Sequence, residues 1–171
     1  GSLRKESFSL KVANALAKLA PASLKLDVTT LEGISFFNQD LEANPPADWL
    51  AFREKLQKSS GVLFVTPEYN RSIPGALKNA IDWASRPWGQ NSFARKPSGV
   101  IGTSPGSIGT AVAQSHLRGV LCFCNSPLMN NVEAYIHFKP GLITAEGDVT
   151  DASTEKFLRN YLSELHMFVT R

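Results

Sequence analysis

Apolar residues recur along the chain with two different spacings, and the alternation of the two predicts helices and strands in turn. Five segments have apolar positions three and four residues apart, which is typical of helices with one buried face. They lie before Pro21, at about Ala47 to Ser59, at Ala76 to Ser85, at about Thr110 to Val120, and after a cap at Asp151 or Ser153. The buried stripe predicted for the last helix is Leu158, Tyr161, Leu162, Leu165, Phe168 and Val169.

Shorter apolar runs between the helices predict strands. Leu24, Leu26 and Val28 alternate with polar residues, which indicates a strand with one exposed face. The run from Gly61 to Val65 contains no polar residue, as in a parallel strand that is buried on both faces. Two further strands are predicted at Pro97 to Thr103 and, last, at Leu121 to Cys124 followed by Pro127 to Tyr135.

This order of elements predicts an α/β fold with three layers, in which helices cover both faces of a doubly wound sheet. Such a fold begins with a strand, whereas the first residues here read as the turn that follows one. We therefore expect an apolar strand before Gly1, which would complete five parallel strands. Residues 1–171 contain no repeat, no low-complexity tract and no linker, so a single domain is expected.

Composition and charge narrow the classes of function. Of the 171 residues, 43% are hydrophobic and 19% are charged, as in an ordinary globular protein. The net charge is +3, and the basic residues stand singly or in pairs, which argues against nucleic-acid binding. No apolar run approaches the ~20 residues of a membrane span and no secretory segment opens the chain, so we expect a cytoplasmic protein without membrane contact.

The most informative stretch runs from Thr66 to Trp83, directly after the fully apolar strand. Pro67 and Pro74 stiffen its first half, and the second half has helical spacing. Open α/β sheets bind their ligands at such a loop, at the carboxyl end of a strand. Tyr69 offers a flat apolar face beside free peptide groups, so the loop suits a planar heterocycle with polar edges.

The opening residues have the chemistry of a phosphate site. Ser2, Ser7 and Ser9 provide hydroxyl groups at the start of a helix, and Arg4 provides a planar cation. Serine at a helix start is more often only a cap. Arg4, together with the later loop, favours the phosphate interpretation.

Two motifs resemble those of the NAD(P)H-dependent FMN reductase family, which has the flavodoxin-like fold and includes quinone, chromate and azo-dye reductases. They are Gly1-Ser2-Leu3-Arg4-x-x-Ser7 and Pro67-Glu68-Tyr69-Asn70-x-Ser72-x-Pro74-Gly75-x-Leu77-Lys78-Asn79-Ala80-Ile81-Asp82-Trp83. Two residues depart from the family pattern: Glu6 stands where glycine is frequent and Ser9 where asparagine is frequent. A carboxylate at position 6 would repel a phosphate unless it points to solvent.

The resemblance implies that FMN is the cofactor and that NADPH or NADH is the co-substrate. The loop from Pro67 to Asn70 would line the isoalloxazine ring, and Thr103, Ser104 and Gly106 would close the other side. No catalytic acid or base and no metal is expected, because the flavin carries the hydride chemistry. The implied cofactor-binding residues are Ser2, Leu3, Arg4, Ser7, Phe8, Ser9, Pro67, Glu68, Tyr69, Asn70, Ser72, Thr103, Ser104 and Gly106.

The nicotinamide nucleotide has no separate motif of its own. A G-x-G-x-x-G sequence is absent, so the nucleotide would stack on the open flavin face and leave before the acceptor enters. This predicts ping-pong kinetics with a small acceptor such as a quinone, a free flavin, an azo dye or a metal oxyanion. Arg71 and Arg86 are candidates for a nucleotide 2′-phosphate by charge alone.

Two alternative functions involve flavin binding without the oxidation of NADPH or NADH at a reductase's rate. A flavodoxin-like electron carrier would bind FMN without oxidising nicotinamide, but such carriers are typically acidic and this chain is not. A flavin-binding regulatory protein with little turnover is a further alternative, which only an activity measurement can exclude.

A serine hydrolase is the alternative from another class of enzyme. Residues 102–106 fit the G-x-S-x-G motif around Ser104, and Asp148 or Asp151 and then His166 follow in hydrolase order. The residue after the serine is Pro105, which has no N–H for an oxyanion hole, so this alternative is remote.

Two predictions concern clusters of particular residue types. His116, Cys122 and Cys124 are weighed as metal ligands and rejected, because the cysteines stand among apolar residues and are expected to be buried. The resemblance implies a homodimer or homotetramer with the flavin near a subunit boundary. The aromatic residues that could form the interface are Trp83, Trp88 and Phe93.

Overall fold

A parallel sheet of three strands forms the middle layer of the protein. The computed structural model of the chain describes residues 1–171. β1 (Val62–Thr66) pairs with β2 (Ser98–Ser104), and β2 pairs with β3 (Tyr135–His137). Thr66 lies opposite Gly102, and Ser104 lies opposite His137, so the carboxyl ends of the strands meet at one edge.

Five α-helices surround the sheet, and all five predicted helices are confirmed. They are α1 (Phe8–Leu19), α2 (Ala47–Lys58), α3 (Gly75–Ala84), α4 (Ala111–Phe123) and α5 (Ala152–Val169). A short 3-10 helix, Gln39–Leu41, lies in the long loop before α2. Asp151 caps α5, as predicted, by accepting a hydrogen bond from the Thr154 amide at 2.7 Å. None of the helices has both the length and the apolarity to cross a membrane.

Two hydrophobic clusters lie on opposite faces of the sheet. One contains 13 buried residues, among them Val12 of α1 and Leu162 of α5. The other contains nine buried residues, among them Leu77 of α3 and Leu117 of α4. Successive residues of a strand point to opposite faces, so Ile101 belongs to the first cluster and its neighbour Val100 to the second. The predicted three-layer α/β arrangement is therefore confirmed.

The predicted number of strands is wrong: the sheet has three strands and not five. The segment from Leu24 to Val28 is extended but belongs to no ladder. A cavity of about 900 Å³, here called the β1 groove, separates residues 23–31 from β1. Leu24 and Leu26 still pack against the cluster that contains Val12 and Leu162. Their alternating pattern therefore reflects side-chain burial without strand pairing. The strand expected before Gly1 stays a prediction.

The predicted last strand is wrong in its first part and interrupted in its second. Residues 121–123 form the last turn of α4, where Cys122 is exposed although it is predicted to be buried. Leu128 forms an isolated bridge opposite Ser98, and the ladder resumes only at Tyr135, opposite Gly102. The two contacts are seven positions apart on this segment and four positions apart on β2, so the chain bulges away from the sheet between them.

The sequence pattern predicts Leu50, Phe52 and Leu56 on the buried face of α2, and the structure differs from this prediction at Leu50. Leu50 is 48% exposed, whereas Trp49 is 1% exposed and its ring lies 5.1 Å from the Trp83 ring. α2 therefore packs with its tryptophan towards the core.

Candidate functional site

The opening turn and the loops after the three strands converge at the carboxyl edge of the sheet. The Ser2 hydroxyl lies 3.0 Å from the Tyr69 hydroxyl, which joins the opening turn to the loop after β1. The Phe138 amide donates to the Ser104 carbonyl at 2.9 Å, which joins the loops after β2 and β3. The predicted site residues come from three separate stretches of sequence, and the fold brings all three stretches to this edge.

The opening turn leads into the N-terminus of α1, where the first amides have no partner within the helix. Ser7 caps the helix, because its hydroxyl accepts a hydrogen bond from the Leu10 amide at 3.1 Å. Ser9 is 2% exposed, and its hydroxyl has no partner. The Arg4 guanidinium lies 5.2 Å from the centre of the Phe8 ring and forms no ion pair. A helix N-terminus, a free hydroxyl and an unpaired cation together suit a phosphate group.

Glu6, the unexpected acidic residue of this turn, points to solvent. Its side chain is 72% exposed and lies 2.9 Å from the Lys11 ammonium. The hydrogen bond from Lys11 and its positive charge hold the pKa of the Glu6 carboxyl below its ordinary value. The departure from the family pattern therefore places no uncompensated negative charge inside the turn.

The loop after β1 contains a tight turn of two residues. Tyr69 and Ser72 exchange two backbone hydrogen bonds, each 3.0 Å long. Asn70 and Arg71 between them have φ angles of +50° and +61°, as in a type I′ turn. Asparagine adopts this conformation readily, whereas arginine adopts it rarely. Tyr69 in this turn is 42% exposed, so part of its aromatic surface is open to solvent.

The Glu68 carboxylate is engaged by its own protein. It accepts hydrogen bonds from the amides of Val112 and Ala113 at the start of α4 and from the Arg71 guanidinium. It is therefore not free to act as a general base.

The end of β2 is shaped by the approach of α4. A Cβ atom on Gly102 would lie 1.6 Å from the Thr110 hydroxyl oxygen and 2.7 Å from the Gln114 side-chain nitrogen, so only glycine allows this contact. Thr103 is 1% exposed, and its hydroxyl has no partner. The Ser104 hydroxyl accepts a hydrogen bond from the Gly106 amide at 3.0 Å, which orders the loop after β2.

Three residues without a predicted role also belong to this edge. His116 of α4 has its Nδ1 atom 3.0 Å from the Ser72 hydroxyl. His137 has its Nε2 atom 3.1 Å from the Pro105 carbonyl oxygen. The Phe138 ring stacks on Phe8 with 4.2 Å between centroids. The sequence contains a signal for the last two, because His137 ends the final strand and Phe138 follows it, at the edge where α/β sheets bind ligands.

The hydrolase alternative at Ser104 is wrong. Its required histidine, His166, lies in the last turn of α5, and Val169 of that turn packs against Gly61 at the opposite edge of the sheet. Asp151 is occupied as the cap of α5, and its hydrogen bonds with Ser153 and Thr154 lower the pKa of its carboxyl to about 2. Asp148 pairs with Lys18. No histidine and aspartate pair is therefore assembled beside Ser104.

Both arginines considered for a nucleotide phosphate already have carboxylate partners. Arg86 lies 2.5 Å from Glu42 and its guanidinium also faces the rings of Phe37 and Trp88. Arg71 lies 3.0 Å from Glu68. The structure thus gives neither residue a free charge.

The three-layer fold and the phosphate-suited turn define a nucleotide-binding protein of the flavodoxin-like class. The family model described as NADPH-dependent FMN reductase matches residues 1–141. A 2-hydroxy-1,4-benzoquinone reductase from a Burkholderia species is 46% identical over 169 residues, which cover 99% of this chain and 92% of the relative. A quinone reductase from Pseudomonas putida is 45% identical over 170 residues, with coverage of 99% and 91%. This chain belongs to the NADPH-dependent FMN reductase family, so the resemblance drawn from the two motifs is confirmed.

A solved structure agrees with this assignment. FerB, a flavoenzyme NAD(P)H:(acceptor) oxidoreductase from Paracoccus denitrificans, superposes with a TM-score of 0.94 at 43% identity. The match covers 99% of this chain and 93% of FerB. The flavodoxin-like α/β fold implied by the resemblance is therefore confirmed, apart from the number of strands.

The residues at the carboxyl edge fit FMN. Ser9 and Thr103 lie on the α1 face of the sheet, since Thr103 follows Ile101 by two residues on β2. A buried hydroxyl without a partner costs free energy, and a bound group that hydrogen-bonds to it removes that cost. Arg4 provides the matching positive charge, and Glu6 is turned away.

Proposed function

We propose that this protein is an FMN-dependent NAD(P)H:quinone oxidoreductase. The observation that carries the proposal is the convergence of the opening turn, with its unpaired Arg4, and the loop after β1 at one edge of the sheet, in a chain of the NADPH-dependent FMN reductase family. When bound, FMN supplies the hydride chemistry, receiving from NADPH or NADH and giving to the acceptor. A quinone is the proposed acceptor because the relatives at 45–46% identity are named for quinone substrates.

The protein's own residues bind and orient the cofactor. Arg4, Ser9 and the first amides of α1 hold the phosphate, and Ser7 fixes the start of that helix. The loop from Pro67 to Ser72 lines one edge of the ring, and its rigid turn keeps the Tyr69 ring at the open side. The other side is closed by Thr103, Ser104 and Gly106. The proposed set is completed by Ser2 and Leu3 of the opening turn and by Phe8 at the start of α1.

A ping-pong cycle is the proposed kinetic mechanism, because the sequence contains no separate motif for the nicotinamide nucleotide. Neither Arg71 nor Arg86 is free to hold a separate nucleotide, so the nicotinamide and the acceptor would use the same face in turn. Initial rates at several fixed quinone concentrations should give parallel double-reciprocal lines. Intersecting lines would show that both substrates bind together and would contradict the shared face.

We further propose that the 171 residues form one FMN-binding domain that assembles as a homodimer or homotetramer in the cytoplasm. Of the three aromatic residues predicted at the interface, Trp83 and Phe93 are buried in the core, whereas Trp88 is 80% exposed. The exposed Trp88 therefore supports assembly, whereas the buried Trp83 and Phe93 do not. The free thiols Cys122 and Cys124 fit a reducing compartment.

The decisive experiment is a visible absorbance titration of the purified protein with FMN, followed by anaerobic NADPH and then 1,4-benzoquinone. The expected result is a bound-flavin spectrum that bleaches with NADPH and returns with the quinone. Bound FMN that bleaches only with dithionite would identify an electron carrier instead. If the protein binds no FMN, the proposed function is wrong.

A further inference from the structure

The Glu68 side chain links the loop after β1 to α4 through a buried contact. It is 7% exposed, and its Oε2 atom accepts hydrogen bonds from the Val112 amide at 3.1 Å and the Ala113 amide at 3.0 Å. These amides belong to the first turn of α4, whose N-cap residue Thr110 makes no side-chain capping bond. Glu68 therefore provides the capping acceptor for α4 from more than 40 residues away in sequence.

A second contact holds the same loop against the same helix. The Ser72 hydroxyl lies 3.0 Å from Nδ1 of His116, one helical turn beyond Val112. Between the two contacts, Tyr69 and Ser72 close the type I′ turn with their paired backbone hydrogen bonds. The turn is therefore fixed on α4 at both of its ends.

The Glu68 carboxylate also balances positive charge where the loop after β1 meets α4. The N-terminus of a helix carries a partial positive charge, and Arg71 adds a full one at 3.0 Å from the other carboxylate oxygen, Oε1. The Glu68 carboxylate offsets both charges next to the segment proposed to line the flavin ring. Removal of its negative charge leaves this side of the site more positive.

We propose that Glu68 is a positioning residue for the flavin, which fixes the turn from Tyr69 to Ser72 on α4 and keeps the ring-side electrostatic potential low. The proposal rests on the proposed function, because it requires FMN in this site. It assigns two separable roles to one carboxylate: an acceptor for two amides, and a negative charge.

Two substitutions separate these roles. Glu68→Gln keeps a side-chain oxygen for the amides but removes the charge, whereas Glu68→Ala removes both. We expect the FMN dissociation constant, measured by fluorescence quenching on apo-protein, to rise about tenfold for Glu68→Ala and less than threefold for Glu68→Gln. The midpoint potential of bound FMN should become more positive in both variants, because a positive surrounding favours the reduced, more negative flavin.

Two control variants make the test specific. Arg71→Ala removes one partner of Glu68 and leaves both amide contacts, so it should shift the potential in the opposite direction. Glu6→Gln removes an exposed carboxylate from the opening turn, which is screened by solvent, and should leave the potential unchanged.

The outcomes distinguish this inference from the proposed function. If the unaltered protein binds no FMN, the function itself is wrong. If it binds FMN and both Glu68 variants keep its affinity and potential while only the melting temperature of the apo-protein falls, Glu68 merely caps α4 and the inference is overturned. Should Glu68→Ala fail to fold, the potential of Glu68→Gln relative to Glu6→Gln still decides the point.

Discussion

Arg4 combines a free charge with a fixed position. Its guanidinium lies over the Phe8 ring, which itself stacks on Phe138, so two aromatic contacts orient the cation at the start of α1. Lys5 next to it also lacks an ion pair but faces no ring. The two residues therefore carry the same charge, but only Arg4 lies against an aromatic ring.

Replacement of Arg4 should weaken the binding of FMN but not of riboflavin, which has no phosphate. A hydrogen bond to a charged group contributes about 1.5–3 kcal/mol, so Arg4→Ala should raise the FMN dissociation constant by roughly 10–100-fold. Fluorescence titration of the apo-protein with each flavin measures this. Lys5→Ala is the matched control and should change neither constant by more than about twofold. An equal loss of FMN and riboflavin binding in Arg4→Ala would place Arg4 away from the phosphate.

For single residues, the sequence predicts which ones lie close together. It does not predict which of their polar atoms are left without a hydrogen-bond partner. Ser7 and Ser9 have the same chemistry and both lie in the opening segment. Folding commits the Ser7 hydroxyl to the cap of α1 and leaves the Ser9 hydroxyl without a partner. Hydrogen-bond partners depend on local geometry of less than an ångström, which residue spacing does not specify.

Among the elements, the contact between β2 and α4 is the tightest at the site. Gly102 of β2 allows Thr110 and Gln114 to approach the strand, and the Gln114 side chain donates to the Ala134 carbonyl at 2.7 Å. One glycine thus brings β2, the start of α4 and the segment before β3 together. This contact sets the distance between the end of β2 and the start of α4, which the loop after β2 connects.

A methyl group added at Gly102 of β2 should therefore destabilise the protein, whereas a methyl group added at Gly119 of α4 should not. Gly102→Ala forces an overlap with the Thr110 side chain and should lower the free energy of unfolding by about 1–3 kcal/mol. Gly119 lies in α4 with nothing within 4 Å of an added Cβ atom, so Gly119→Ala should raise it by about 0.5–1 kcal/mol. Urea unfolding followed by circular dichroism measures both. If the two variants change stability in the same direction, overlap at Gly102 is not the cause.

Helices were more predictable than strands for a physical reason. The hydrogen bonds of a helix close within the segment, so the spacing of apolar residues in α1 or α5 is enough to identify it. A strand needs a neighbour, and nothing within residues 24–28 specifies whether one lies alongside. The same holds for residues 127–135, where the bulge between Leu128 and Tyr135 depends on how β2 and α4 fit together.

For the whole molecule, the proposed assembly depends on large apolar side chains that folding leaves uncovered. Trp88 is 80% exposed and lies 5.9 Å from the Arg86 guanidinium, which Glu42 holds in place. Phe123 at the end of α4 is 83% exposed. Tryptophan and arginine are both enriched where protein surfaces bind each other.

The mass in solution should therefore fall when Trp88 is replaced. Light scattering at micromolar concentration should give a dimer or tetramer for the unaltered protein and a mass closer to one chain for Trp88→Ser. Phe123→Ser removes an aromatic of similar exposure from another surface and should leave the mass unchanged. A single-chain mass for the unaltered protein would refute the assembly, and dissociation by Phe123→Ser alone would move the interface to α4.

The edge position of β1 has a consequence for the protein's internal dynamics. β2 is paired on both sides, whereas β1 is paired with β2 alone and faces the β1 groove on its other side. Amide hydrogens exchange with solvent through local opening, so in the chain of residues 1–171 β1 should exchange sooner than β2. The loop that carries Tyr69 begins where β1 ends, so the site is attached to the less protected strand. A ligand that binds the protein only while β1 is paired raises the free energy needed to open that strand. Bound FMN should therefore slow amide exchange more in β1 than in β2.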